Sequence, residues 1–226
     1  MANGKSGDKG LRAIVIGMIV FVITITGVFI YFDKKPVTNV ASPGSISKAD
    51  GSGLVFNPEL TNQIDIWEDF QCPVCARFEQ TNGDYIEKLI EEKKAKVVFH
   101  TLSFLGPESV LAANAAACAS DENKFLGFHR AFYQNLPAEN SGAVTADYLV
   151  ALGQGVGITS DKFKSCVANL DYNGWVNNVA ASGGEANVNS TPTVFVNGKE
   201  IRRATSGADL GDYFDPAAFA RAVEGK

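Results

Sequence analysis

The chain has 226 residues, 46% hydrophobic and 20% charged, enough apolar material for one domain with a well-buried core once a membrane segment is set aside. Its 20 lysines and arginines against 25 acidic side chains leave a formal net charge of -5. That balance excludes a nucleic-acid partner, because phosphate binding relies on clustered Lys and Arg.

Lys5, Lys9 and Arg12 precede an uncharged run, Ala13 to Phe32, and about 20 apolar residues suffice for a helix to cross the hydrocarbon layer. The cations predict a cytoplasmic tail over 1–12, a transmembrane anchor over 13–32 and an extracytoplasmic remainder; Lys34 and Lys35 weaken that bias without reversing it. The alternative is a cleaved signal peptide, whose apolar core is usually about 7–15 residues. This run is longer, and Asn39 before Ala41 is a poor cleavage signal. Residues 33–52, with Pro36, Pro43 and many small polar side chains, read as a linker that leads into a domain over 53–226.

Gly53 to Phe56 suits a short edge strand, and Ile64 to Trp67 a buried one that stops abruptly at Cys72-Pro73-Val74-Cys75. Proline disfavours helical geometry in the residue before it and suits the first helical position, which predicts Cys72 at an N-cap and Pro73 at N1. There the unsatisfied N–H groups and the helix dipole favour a thiolate on a partly exposed Cys72. Cys75 follows at i+3 on the same face, with Cβ atoms roughly 5–6 Å apart, close to the separation a disulfide requires. Phe78, Tyr85, Ile86, Leu89 and Ile90 extend the helix to about Lys94, with Gly83 a position for a bend. Ala95 to Leu102 is β-branched and aromatic, and the order strand, helix, strand predicts a right-handed parallel βαβ unit.

An all-helical insertion is expected over about 104–188. Pro107 and Glu108 open an alanine-rich helix through Cys118, Phe125 to Tyr133 form a second, Thr145 caps a third, and Thr159 or Ser160 caps a fourth carrying Phe163, Cys166 and Val167. Trp175 to Ala181 continue the series. Thr193 to Val196, Asn197-Gly198 and Lys199 to Arg202 read as a hairpin with a two-residue turn. A last helix runs from Pro216 to about Val223.

The four cysteines, Cys72, Cys75, Cys118 and Cys166, permit three fully paired connectivities. In an oxidising compartment the simplest is an exchangeable pair in the motif and a structural bridge between Cys118 and Cys166. A zinc site lacks a second close pair of ligands, since Cys118, Cys166, His100 and His129 are dispersed, and c-type haem needs His where Ala76 stands. Neither a metal nor a cofactor is therefore expected. Both histidines, far from the motif in sequence, read as structural, because a histidine becomes an acid or base only with a positioned partner. Trp67, Phe70, Phe104 and Phe195 suit core packing better than a peptide groove.

D-F-Q-C-P-V-C at a strand-to-helix junction, a helical insertion, and S-T-P-T-V-F-V-N-G (Ser190 to Gly198) together resemble the DsbA-like branch of the thioredoxin superfamily, in particular the membrane-anchored forms of Gram-positive bacteria. The resemblance implies an α/β thioredoxin-like fold with Cys72 as nucleophile and Cys75 as resolving cysteine. It also implies a cis-proline loop at Thr191-Pro192, with Pro73, Val74 and Thr191 facing substrate beside Pro192. Many relatives carry a buried glutamate six residues before the first cysteine, where this chain has Ile66. Asp65, Glu68 and Asp69 are the nearby acids, without a sequence reason to choose between them. The dipeptide is Pro-Val where several relatives have Pro-His, so the helix terminus is left as the main source of thiolate stabilisation.

The implied function is a membrane-tethered thiol:disulfide oxidoreductase acting on exported cysteine-containing proteins and reset by a membrane redox partner. A reductase for a dedicated client and a non-catalytic peptide-binding domain are the alternatives.

Overall fold

The computed structural model describes residues 51–203 and 209–225, so the expected tail, anchor and nearly all of the linker lie outside the described residues. Among the described residues no helix is long and apolar enough to cross a membrane.

The sheet is built on β2 (Gln63–Asp69) and β3 (Lys96–Leu102), paired in parallel from Gln63 opposite Lys96 to Asp69 opposite Leu102. Between them runs α1 (Pro73–Glu91). Both strands are almost wholly buried from Ile66 and Val97 onward, as expected where helices cover a sheet. β1 (Leu54–Phe56) adds antiparallel to β3, and β4 (Thr193–Val196) antiparallel to β2, with β5 (Lys199–Glu200) at the far edge, giving the order β1-β3-β2-β4-β5. Asn197 and Gly198 both have positive φ, the backbone that a two-residue hairpin turn needs.

Three expected boundaries shift for local reasons. β2 runs to Asp69, beyond Trp67, because Glu68 and Asp69 keep pairing with β3 and are themselves buried. α1 stops at Glu91 rather than near Lys94, where Lys93 turns left-handed at φ 52° and Lys94 N–H closes on the Leu89 carbonyl. β5 ends at Glu200 rather than Arg202, because Arg202 exchanges backbone and side-chain hydrogen bonds with Asp212 and leaves the ladder. α1 is also one helix through Gly83.

Between β3 and β4 the described chain forms α2 (Pro107–Asp121), α3 (Phe125–Gln134), α4 (Ala146–Gly155), α5 (Asp161–Asn169) and α6 (Asn173–Glu185). α2 is buried on all sides from Ala112 to Ser120, and a helix apolar all round belongs at the centre of its layer. Its alanines let neighbours approach closely. α7 (Pro216–Glu224), capped by Asp215, packs Phe219 against Phe78 and Tyr85 of α1. Between the sheet and α3, Phe70 meets Phe132 and Phe99 meets Phe125, while Phe128 on α3 meets Phe163 of α5; Phe70, Phe99, Phe125, Phe128 and Phe132 are all within 1% of full burial, each such side chain contributing about 1.5–3 kcal/mol.

Candidate active site

The chain after β2 turns back on itself through Cys72 N–H to the Asp69 carbonyl (2.9 Å), and α1 begins with Pro73 at its first position. Cys72 is the N-cap in extended geometry, and its Sγ accepts the Cys75 N–H at 3.3 Å. The capping role that serine or aspartate commonly fills is thus taken by a sulfur, which the terminal N–H groups stabilise as an anion. The Cys72 pKa falls from the ordinary 9.0 to about 6, first because the Cys75 thiol donates to it, with the Thr191 side chain and the Cys75 and Val74 backbone helping against the cost of burial. Only 5% of Cys72 is exposed, less than the partial exposure expected, because the loop before β4 covers it. In its thiol form the sulfur donates to the Thr191 carbonyl at 3.5 Å.

Cys75, one turn in, has no exposed surface. Burial pushes its thiol well above the ordinary value, and the Cys72 sulfur and the Glu68 charge push it further. Both cysteines are free thiols.

The Thr191-Pro192 bond is cis. Arg203 braces the loop by donating to Ser190 Oγ (2.7 Å) and to the Thr193 hydroxyl, and Tyr213 OH accepts Val194 N–H (2.9 Å). A pocket of about 150 Å³ adjoins the loop, lined by Val74, Thr191, Pro192, Arg203, Tyr213 and Phe214. Val74 is 48% exposed, and Phe104, before α2, 49%. Trp67 and Phe70 lie in the core and Phe195 is partly buried against it.

The three acids divide by partner. Asp65 takes Gln63 and His100, the latter at 3.1 Å. Asp69 accepts from Ser109 Oγ (2.6 Å), Gln71 N–H (3.0 Å) and Leu105 N–H (3.1 Å), tying β2 to the start of α2, while burial raises its pKa. Glu68, fully buried, is the one whose charge acts on Cys75, and Ile66 is core. Glu68 also meets Nε2 of His129 on α3. His100 is packed as structure, stacked on Trp67 at 3.7 Å with Nδ1 against the Ser52 carbonyl. His129 is next to the acid that influences Cys75, which no local signal indicates, since 61 residues separate it from Glu68.

Cys118 of α2 and Cys166 of α5 are joined by a disulfide, Cα atoms 6.0 Å apart, well away in sequence from the thiol pair.

The sequence profile of the family described as Thioredoxin matches residues 55–215. Disulfide bond formation protein D of Bacillus subtilis is 29% identical over 143 residues, covering 59% of this chain and 62% of that protein. The chain thus spans less than two thirds of that relative. Among solved structures, MdbA, a thiol-disulfide oxidoreductase from Actinomyces oris, superposes with a TM-score of 0.69 at 24% identity, over 83% of this chain and 91% of that one. Reduced DsbG of Mycobacterium tuberculosis gives 0.61 at 27% identity, over 82% and 88%. The match across 55–215, which spans the sheet, the thiol pair and the helices between β3 and β4, makes this chain a member of the thioredoxin family, with relatives of the DsbA type.

Proposed function

We propose that the chain is a membrane-tethered, extracytoplasmic thiol:disulfide oxidoreductase that introduces disulfides into exported proteins through Cys72 and Cys75. The observation that carries this reading is the inequality of the two thiols: Cys72 at a helix terminus with a pKa of about 6, and Cys75 buried with its thiol pushed well up. A substrate thiolate attacks Cys72 of the enzyme disulfide and Cys75 leaves. A second substrate thiolate then attacks the substrate sulfur of the mixed disulfide, and Cys72 departs as the stabilised thiolate. Two electrons pass from the substrate to the cysteine pair, so no further cofactor is required.

Stabilising the reduced enzyme makes its disulfide the stronger oxidant, which favours the oxidising direction. The Cys118–Cys166 bridge supports an oxidising compartment. Thr191 and Pro192, with Pro73 and Val74, face the substrate in this reading, and Ala13 to Phe32 hold the 53–226 domain at the membrane, where a redox partner reoxidises the pair.

The test mixes oxidised protein with a reduced two-cysteine peptide, measures the reduction potential, and traps the redox state of Cys72 and Cys75 in cells. We expect stoichiometric peptide oxidation, a potential well above the roughly -270 mV of thioredoxin, and an oxidised pair in cells. A pair held reduced in cells at a thioredoxin-like potential would assign the reductase direction. Full cellular function in a Cys72→Ser/Cys75→Ser protein would assign peptide binding.

A further inference from the structure

In a chain whose net charge is -5, the pocket beside the cis loop is bordered by positive charge. Val74 stands on the first turn of α1, and Arg77 follows it at i+3, the spacing that puts two side chains on one helix face. Arg77 is exposed, and its guanidinium carbon lies 4.3 Å from the centre of the Phe214 ring, part of the pocket lining. The next ring in the lining, Tyr213, is 6.2 Å from Phe214, and the guanidinium of Arg203 lies over it at 5.6 Å. Two arginines are thus held on two adjoining aromatic rings. The sulfur is close by, because Thr191, whose carbonyl accepts from Cys72 at 3.5 Å, belongs to the same lining.

These cations are not used up by the fold. Among the described residues the Arg77 guanidinium meets a ring and no carboxylate, so its charge is held in place without being neutralised. Arg203 spends one N–H each on Glu200, Ser190 and Thr193, which leaves two of a guanidinium's five. The acids of the neighbouring segments are committed elsewhere: Asp212 accepts the Arg202 N–H at 3.0 Å, and Asp215 accepts Ala217 N–H and Ala218 N–H at the start of α7. α1 has no acid in its first turn. The pocket between α1 and α3 has the opposite character, since Glu79, Asp84 and Glu87 there surround a single Arg130 that pairs with two of them.

We propose that the pocket selects clients by charge, Arg77 and Arg203 holding an aspartate or glutamate side chain that lies within a few residues of the client's reactive cysteine. The proposal rests on the oxidoreductase reading and adds the kind of segment the oxidised pair accepts, an extended acidic stretch of a reduced exported protein. A volume of about 150 Å³ takes one side chain rather than a folded surface. Its walls, Val74, Pro192 and Phe214 beside two guanidinium groups, suit a carboxylate on a short apolar stem, because arginine meets a carboxylate through paired N–H donors. A lysine at the same place meets like charge, so selection works by repulsion as well as attraction. The exchange itself is unaltered: the arginines act on which chain arrives and stays, and the sulfur chemistry follows at Cys72.

The experiment mixes the oxidised full chain with single-cysteine peptides that carry Glu, Gln or Lys at each position from three before the cysteine to three after it, following formation of the mixed disulfide. Rates are expressed per peptide thiolate, because a nearby carboxylate raises the pKa of the peptide's own thiol. We expect one position at which Glu reacts roughly fivefold faster than Gln, the upper end for an exposed ion pair, and Lys more slowly than either. Added salt should shrink that advantage, since exposed charges are screened. Arg77→Gln should bring the Glu to Gln ratio towards one, and Arg77→Glu should invert the order so that Lys reacts fastest, whereas a merely structural loss would slow all three peptides alike. Equal rates for Glu, Gln and Lys at every position would overturn the proposal, as would a Glu preference that survives Arg77→Glu. A charge preference confined to N-acetylcysteine against its amide, and absent from the peptides, would make a small acidic thiol the occupant and overturn the assignment to a client chain. A wild-type chain that forms a mixed disulfide with no peptide would instead overturn the oxidoreductase reading itself.

Discussion

Two cysteines three positions apart acquire opposite acidities because one caps a helix and the other lies one turn inside it, fully buried. Moving the Cys72 pKa from 9.0 to about 6 favours the folded, reduced protein. The sign follows from linkage: a depressed acid stabilises the folded state fully above the unfolded value and loses that contribution as pH falls through the folded one. For Cys72 this amounts to about 4 kcal/mol above pH 9, about 1.4 kcal/mol at pH 7 and nothing well below pH 6. Reduced protein should therefore gain melting temperature over oxidised protein as pH rises from 6 to 9. In parallel, iodoacetamide should modify Cys72 with a rate that rises through about pH 6 and then levels, while Cys75, with no exposed surface, stays unmodified in the folded protein. A Cys72 rate still climbing steeply at pH 8 would show an unperturbed thiol.

At the scale of elements, the helices between β3 and β4 are fastened to the thiol-bearing part of the fold by Asp69 and to one another by the Cys118–Cys166 bridge. The bridge closes a sequence separation of 48 residues, for which chain entropy gives about 4 kcal/mol. Cys118→Ala/Cys166→Ala should lose about that much in urea unfolding, yet keep the Cys72 titration. Where α4 crosses α5, a Cβ on Gly153 would lie 2.3 Å from the Phe163 ring, so Gly153→Ala should cost about 1–3 kcal/mol by overpacking. These elements differ in how far the sequence reveals them. Cys72 before Pro73, Thr145 and Ser160 mark helix starts through caps that need only neighbouring residues, and the parallel pair β2 and β3 follows from strand composition and the intervening helix. Glu68 and His129 could not be joined in advance, because their pairing depends on how α3 packs on the sheet. Gly83 suggested a bend, whereas its small size serves a side chain one turn earlier.

Over the whole molecule, the covered sulfur, the braced loop and the exposed Val74 set how near each cysteine lies to the surface. Cys72 lies beneath Thr191, beside a pocket with an apolar rim, while Cys75 is enclosed by α1 and the core. On the proposed function, an incoming chain in this pocket would lie alongside Cys72. After the first exchange, a client bonded to Cys72 can be released either by its own second thiol or by Cys75. Cys75→Ser removes the second route and should accumulate disulfide-linked clients, visible as high-mass bands that collapse on reduction; Cys72→Ser should trap few or none. Val74→Glu puts a charge on the rim without touching either sulfur, so it should raise KM for cysteine peptides several-fold and leave the reaction with glutathione unchanged. Adducts that map to Cys75, or equal losses with peptide and glutathione in Val74→Glu, would mean that clients approach the pair from another side.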